Sequence, residues 1–247
     1  MQDLPYVLVT GGSRGIGREI SKKLADEGKN IIIHYNRNSQ EAEKVRDYCE
    51  GKGVKTLAVS ADLSSVEGIS VIRKFVQDNA GSLSGLVNAA GIYEGNQLNE
   101  ITVEEWESVL SVNLMPVVFL TRELVPMLEK GRSPAVVNIS SVLGLKNDIY
   151  GLSYQASKAA IIHISRSLAK ALAPAIRVNS VSPGFIMTDM NRDGWEDSHF
   201  RGKVEKITPM GRWGKVEDIA EMVCFLLSDK ASFITGSNFV VDGGISI

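Results

Sequence analysis

Cysteine is nearly absent: 247 residues contain two, Cys49 and Cys224, far apart and in no metal-ligating spacing. That excludes a disulfide framework and a zinc site built on paired cysteines, and it suits reduced thiols in a cytoplasmic protein. No metal is expected. An excess of charge is also missing, because 27 Lys and Arg face 29 Asp and Glu for a net charge of −2. Nothing electrostatic therefore points to a nucleic acid or a membrane surface as partner. No apolar run reaches the roughly 18 residues that a membrane-spanning helix needs. The opening Met1-Gln2-Asp3-Leu4-Pro5 lacks a basic stretch and leads straight into a strand, so no secretory leader is expected. No linker, repeat or low-complexity segment divides the chain, and one domain over residues 1–247 is the expectation.

Glycine, in contrast, is concentrated where it carries meaning. The apolar run Tyr6-Val7-Leu8-Val9 is followed by Thr10-Gly11-Gly12-Ser13-Arg14-Gly15-Ile16-Gly17 and then by an amphipathic pattern with Ile16, Ile20 and Leu24 on one face. A strand, a glycine-punctuated turn and a helix make a phosphate-binding elbow, in which the backbone turns tightly and presents helix N-terminal N–H groups to an anion. The spacing Gly11-x-x-x-Gly15-x-Gly17 is not the strict G-x-G-x-x-G fingerprint.

Strand and helix signals alternate from there. Ile31–Tyr35, Val54–Ser60, Leu83–Ala89, Ala135–Ser140, Ile176–Val181 and Asn238–Val241 read as further strands. Helices are expected over residues 15–27, 41–50, 66–79, 103–130, 154–173 and 216–228, whereas 184–209 reads as irregular and rich in charge. The alternation points to an α/β fold, a doubly wound parallel sheet with helices on both faces.

Four side chains could do chemistry. Tyr154 and Lys158 stand at i and i+4, so both point from one helix face. A phenol with a pKa of about 10 is a poor acid or base at neutral pH. An ammonium at about 4 Å and an effective dielectric near 20 attracts the phenolate by about 4 kcal/mol, enough to shift it by several units. That pairing would make a tyrosine general acid for a carbonyl becoming an alkoxide. Ser141 ends the fifth strand, at the sheet edge where ligands bind in such folds, and its hydroxyl could orient a carbonyl. Asn113 interrupts an apolar helix face and reads either as a site residue or as a hydrogen-bonded kink.

Together these motifs resemble the short-chain dehydrogenase/reductase family over essentially the whole chain. The matching pieces are T-G-x-x-x-G-x-G at Thr10 to Gly17, Asn-x-Ala-Gly at Asn88 to Gly91, the helix Asn113, Ser141, Y-x-x-x-K at Tyr154 and Lys158, and Pro183-Gly184. The resemblance implies a Rossmann-like sheet of about seven strands in the order 3-2-1-4-5-6-7. It also implies catalytic roles: Tyr154 as acid/base, Lys158 on the nicotinamide ribose and lowering the tyrosine pKa, Ser141 on the carbonyl, and Asn113 in a water-linked proton relay. The usual Asn-Asn-Ala-Gly is here Asn88-Ala89-Ala90-Gly91, a change expected to cost a hydrogen bond in the sheet.

The cofactor implied is a nicotinamide dinucleotide, and the residues favour NADP(H). NAD-binding folds place an acid after the second strand, but this strand ends Tyr35-Asn36-Arg37-Asn38. Arg37, with Arg14 from the glycine turn, would offer a 2′-phosphate a guanidinium fork. Carried over residue by residue, the cofactor set is Gly11, Ser13, Arg14, Gly15, Ile16, Gly17, Asn36, Arg37, Asp62, Leu63, Asn88, Ala89, Gly91, Tyr154, Lys158, Pro183, Gly184, Ile186 and Thr188. Asp62 stands where the family has an adenine-contacting acid.

Within the family, the style is closest to bacterial 3-oxoacyl-[acyl-carrier-protein] reductases, judged by Tyr35-Asn36-Arg37, the compact length and the ending Val240-Val241-Asp242-Gly243-Gly244. Carrier proteins are acidic, and Arg132 matches one docking arginine, but Ala175 replaces the second. A free sugar, ketone or alcohol substrate is the alternative, and a non-catalytic NADP(H)-binding sensor the remote one. Phe185 to Pro209 resembles a substrate lid, with Met187, Met190, Trp195 and Phe200 as covering side chains. The resemblance further implies a homotetramer, with helices 103–130 and 154–173 at one interface and residues 239–247 at another.

Overall fold

The computed structural model describes residues 5–247. The expectation about a leader rested on Met1 to Pro5, of which residues 1–4 lie outside the described residues. Seven strands form one parallel sheet: β1 (Tyr6–Thr10), β2 (Asn30–Tyr35), β3 (Thr56–Ser60), β4 (Leu83–Asn88), β5 (Ala135–Ile139), β6 (Arg177–Pro183) and β7 (Asn238–Val241). Their order across the sheet is β3-β2-β1-β4-β5-β6-β7, as the sequence resemblance implied. In register, Val9 lies opposite Ile33 on one side and Val87 on the other.

Each inner strand is apolar on both faces because helices cover both. Val7, Val9, Ile31 and Ile33 point into one core with Ile20, Leu24 and Val223, while Leu8, Ile32 and Leu86 point into the other with Ile72, Leu120 and Leu124. The first core lies under α1 (Gly15–Asp26), α2 (Ser39–Glu50) and α9 (Val216–Leu227). The second lies under α3 (Val66–Asn79), α5 (Met115–Leu128) and α6 (Leu152–Leu172), and α4 (Val103–Asn113) packs on α5 and α6. Burial of these branched side chains, at about 25 cal/mol per Å2 of apolar surface, is the main favourable contribution to folding. Strand order reverses direction between β1 and β4, so the chain opens a crevice above their C-terminal ends, Thr10 and Asn88, with Ser141 just beyond the end of neighbouring β5.

Three expectations need correction. The single helix expected over residues 103–130 is two helices, α4 and α5, which meet at Leu114. Pro116 explains the break: it has no N–H for the carbonyl of Val112, and its ring favours the first turn of a new helix. The stretch expected to be irregular holds two helices, α7 (Arg192–Glu196) and α8 (Ser198–Ile207). Asp197 starts α8 by accepting hydrogen bonds from the N–H groups of His199 at 2.9 Å and Phe200 at 3.4 Å. The third concerns hydropathy: Val103–Leu128, 26 residues, is long and apolar enough to cross a membrane by length and composition alone. In the fold it is divided at Leu114 and packs Leu120 and Leu124 into the second core.

Candidate active site

The glycine turn is shaped by contacts a larger residue would not permit. A Cβ on Gly17 would sit 2.3 Å from the carbonyl oxygen of Gly11, and one on Gly11 would sit 3.0 Å from the backbone of Ala90. Gly11 and Gly15 have φ of +64° and +51°, in the left-handed region that favours glycine. Thr10 ties this turn to the end of β4: its hydroxyl accepts from the N–H groups of Ala89 at 2.9 Å and Ala90 at 3.1 Å.

His34 belongs to none of the sequence motifs, yet it holds the turn from below. Its Nδ1 accepts from the Gly11 N–H at 3.1 Å, its Nε2 lies 3.0 Å from the Ala61 carbonyl, and its own carbonyl accepts from Gly12 at 2.9 Å. Only the neutral ring with its proton on Nε2 satisfies both ring contacts. Burial accordingly lowers its pKa from 6.5 to about 4. A lowered folded pKa means that the unfolded chain binds the extra proton first, so stability is present above about 6.5 and is lost as pH falls toward 4. The shift corresponds to roughly 3 kcal/mol. Urea midpoints of the wild type should fall more steeply between pH 6.5 and 4.5 than those of His34→Gln; parallel slopes would refute the assignment.

The chemical end of the crevice is assembled where β5 meets α6. After β5, Ser141 caps a one-turn 3-10 helix (Val142–Gly144), and Gly144 packs so close to α6 that a Cβ there would lie 2.7 Å from the Lys158 backbone. Ser140 completes the junction with a 2.7 Å hydrogen bond to the Lys158 carbonyl. The two motifs, thirteen positions apart for Ser141 and Tyr154, are thereby brought to one wall. Ser141 Oγ accepts from the Leu143 N–H at 3.1 Å, which leaves its hydroxyl proton to donate into the crevice.

Tyr154 and Lys158 lie in the first two turns of α6, which starts at Leu152, two residues before the expected boundary. Lys158 is buried, its Nζ donating to the Ile139 carbonyl at 2.9 Å and standing 5.3 Å from the Tyr154 ring centre. Burial lowers the lysine to about 8. The expected lowering of the tyrosine is corrected: burial raises Tyr154 to about 12, with the Ser141 hydroxyl working the other way. Desolvation of the phenolate outweighs the attraction because the ammonium faces a backbone carbonyl and lies over the ring, not at the oxygen. At neutral pH the pair is therefore a phenol beside an ammonium, set to give a proton.

Glycine turn and catalytic wall open on one cavity of about 470 Å3. Gly11, Ser13, Arg14, Gly15, Ile16 and Gly17 line it at one end, with Asn36 and Arg37. Ala89, Gly91, Ser141, Tyr154, Lys158, Pro183, Gly184, Ile186 and Thr188 line the rest. Asp62, Leu63, Asn88 and Asn113 stand outside its lining. Asp62 Oδ1 accepts from the N–H and the hydroxyl of Ser64, at 3.0 and 2.8 Å, and these bonds hold its carboxyl below the usual range, with the Arg37 charge assisting. Asn88 sits beneath the floor, donating to Asn138 at 2.8 Å and to Thr121 at 3.3 Å, and its Oδ1 is buried without a partner. Asn113 clamps Ile92, accepting from its N–H at 2.8 Å and donating to its carbonyl at 3.0 Å, and also donates to Ser157 at 3.1 Å. The helix breaks immediately after Asn113, at the position set by Pro116, and the Asn113 side chain braces the loop behind Gly91.

Of the four lid side chains, Met190 lines the cavity. Trp195 instead donates to the Thr188 carbonyl at 3.0 Å, and Phe200 packs edge-on against Phe185 and Trp213, with ring centres 6.1 and 6.2 Å apart. Arg132 is exposed, as is Ala175; nearby Arg177 cannot replace the second docking arginine, because its guanidinium donates to the carbonyls of Leu226 and Ser228 at 2.8 and 3.2 Å.

A family model described as enoyl-(acyl carrier protein) reductase matches residues 11–246. The 3-oxoacyl-[acyl-carrier-protein] reductase FabG of Staphylococcus aureus is 39% identical over 239 residues, 96% of each chain. The same-named protein of Aquifex aeolicus is 37% identical, again over 96% of each chain. Among solved structures, a short chain dehydrogenase from Burkholderia cenocepacia in complex with NADP superposes with a TM-score of 0.92 at 32% identity over 98% of each chain. The RhlG/NADP active-site complex from Pseudomonas aeruginosa gives 0.93 at 32%, over 98% of this chain and 96% of that one.

Proposed function

The chain belongs to the short-chain dehydrogenase/reductase family, and from that premise we propose that it is an NADP(H)-dependent reductase of 3-oxoacyl thioesters. One observation carries the reading: Ser141, Tyr154 and Lys158 converge on a cavity whose other end is the glycine turn with Arg14 and Arg37. The residues fit the cofactor. The close approach of Gly17 to Gly11 sets the start of α1, whose first N–H groups have no side-chain cap, at the cavity where a pyrophosphate would rest. The exposed Arg14 and Arg37 line the same end, with no carboxylate at the end of β2, as a 2′-phosphate would require. When bound, NADPH supplies the hydride. Gly11 to Gly17, Asn36 and Arg37 would hold its adenine half, and Lys158 and the segment Pro183 to Thr188 its nicotinamide half.

The protein's own part is positional and electrostatic. The Ser141 hydroxyl donates to the substrate carbonyl oxygen and fixes it beside Tyr154. As charge builds on that oxygen, the phenol transfers its proton to it, and the buried ammonium of Lys158 stabilises the phenolate left behind. A tyrosine held near 12 by burial is protonated at neutral pH, the state in which it can give a proton to the forming alkoxide.

The substrate class draws on the likeness to the two FabG proteins. With Ala175 and the anchored Arg177 leaving Arg132 without a second docking cation, the thioester need not be presented by a carrier protein. Assembly as a homotetramer belongs to the same reading, supported by the exposed Trp106 and Phe119 on α4 and α5 and Val240 in β7.

Loss of NADPH absorbance should be followed with acetoacetyl and longer 3-oxoacyl thioesters, an enoyl thioester, simple ketones, diketones and sugars, with NADH run alongside. NADPH with a 3-oxoacyl thioester is the expected pair. Arg37→Ala should narrow the NADPH-over-NADH ratio by about tenfold or more, the value of one charge-assisted phosphate contact. Preference for NADH, or faster turnover of the enoyl thioester or a sugar, would overturn the proposal.

A further inference from the structure

The helix that carries Tyr154 begins weakly. Its first residue follows Gly151, at φ +67°, which has no side chain with which to cap the free N–H groups of the first turn. The loop after β4 crosses this start: Asn96 accepts from the Gly151 N–H at 3.0 Å, and Tyr93 packs edge-on against Tyr154, with ring centres 5.1 Å apart and an interplanar angle of 81°. Gly151 has no room for a side chain here, since a Cβ would lie 2.9 Å from the Tyr93 ring.

One carboxylate joins these pieces. Glu105, in the first turn of α4, accepts from Asn96 Nδ2 at 2.6 Å through one oxygen and from the fully buried Ser153 hydroxyl at 3.0 Å through the other. It thus links three elements, the loop of Tyr93 and Asn96, the start of α6 and α4, around the residue next to Tyr154. Thr102, capping α4 through the Glu105 N–H at 3.1 Å, holds the glutamate's own backbone.

We propose that Glu105 is a positioning residue for the reaction: by bridging Asn96 and Ser153 it supplies from α4 the anchor that α6 lacks and holds Tyr154, with Tyr93 against it, in register with Ser141. It lies outside the cavity lining and the glycine turn, so it acts on proton transfer and not on cofactor binding. The inference rests on the reading of Tyr154 as proton donor. Its negative charge at a helix N-terminus is favourable, but the two hydrogen bonds make the geometry.

Three variants test it. Glu105→Ala should lower kcat by about tenfold or more, as misplacement of a catalytic group does, with the NADPH dissociation constant within about twofold of wild type. Glu105→Gln can accept from Asn96 and donate to Ser153, because a hydroxyl takes either role, and should recover to within about threefold of wild type. Tm should move by no more than a few degrees in either. Wild-type kcat in Glu105→Ala, a failure of Gln to rescue, or a loss of NADPH affinity in proportion to kcat would each overturn the proposal. Tyr154→Phe, the third variant, separates the two claims: if it still turns over, the reading of Tyr154 falls, whereas an inactive Tyr154→Phe beside a fully active Glu105→Ala sinks only the role of Glu105.

Discussion

Tyr154→Phe is expected to lower kcat by about a thousandfold, within the range that one positioned acid contributes, while NADPH binds within about threefold of wild type. The substitution removes a single oxygen. The phenyl ring keeps its edge contact with Tyr93 at 5.1 Å and its place under the Lys158 ammonium at 5.3 Å, so the wall of the cavity stays in shape. Lost is the hydroxyl that, beside Ser141, would give its proton to the forming alkoxide, while the Lys158 ammonium keeps its bond to the Ile139 carbonyl. The variant also gives up the cost of burying a phenol, so its melting temperature should not fall. Steady-state kinetics with the preferred thioester and a fluorescence titration with NADPH separate the two effects. Turnover within tenfold of wild type would remove Tyr154 from the mechanism, and unaltered NADPH binding with no detectable wild-type activity on any substrate would favour the non-catalytic sensor.

The sheet was legible because parallel strands buried on both faces must be apolar throughout. Ile31-Ile32-Ile33 could be placed without knowing its neighbours, and the alternation with helices fixed the class of fold. The break at Leu114 was equally present in the sequence, as Pro116, but the apolar residues on either side continue at helical spacing and hide it. In α8 the stripe Phe200, Val204 and Ile207 has helical spacing, yet it is masked by the charged residues between and by the shortness of the segment. Only Val204 of the three is buried, so the core could not have demanded the others.

The site divides along a similar line. Residues whose chemistry is intrinsic, Tyr154, Lys158, Ser141 and the glycines, announce themselves by type and spacing. Residues that work through a partner do not. His34 reads as an interruption of an apolar strand, and its function as the clamp of Gly11 depends on a carbonyl 27 positions away. Glu105 is one of several acids in the first turn of α4, and nothing in its spacing connects it to Ser153, 48 positions later. The tyrosine pKa failed for the same reason. Spacing supplied the lysine, but the desolvation that outweighs it depends on the walls around both.

Gly17→Ala should all but eliminate NADPH binding, with loss of at least about a hundredfold in affinity, and lower stability by roughly 1–3 kcal/mol, the usual cost of forcing extra atoms into packed backbone. The methyl would lie 2.3 Å from the Gly11 carbonyl oxygen and 2.8 Å from its carbon, and neither atom is at the end of a flexible side chain. The turn could relieve the contact only by opening between Gly11 and α1. That movement strains the Gly11 N–H bond to His34 and shifts the first N–H groups of α1 away from the anion they would hold. Ala is otherwise the better helix former by about 1 kcal/mol, so the sign of the result separates steric approach from helix propensity. Gly202→Ala in α8 is the matched control: nothing lies within 4 Å of a Cβ there and its φ is ordinary, so its Tm should equal or exceed that of wild type with full NADPH binding. Calorimetric titration with NADPH and thermal melts of both variants decide the matter. Wild-type affinity in Gly17→Ala would mean that the close approach of α1 to the turn is not what shapes the pyrophosphate cradle.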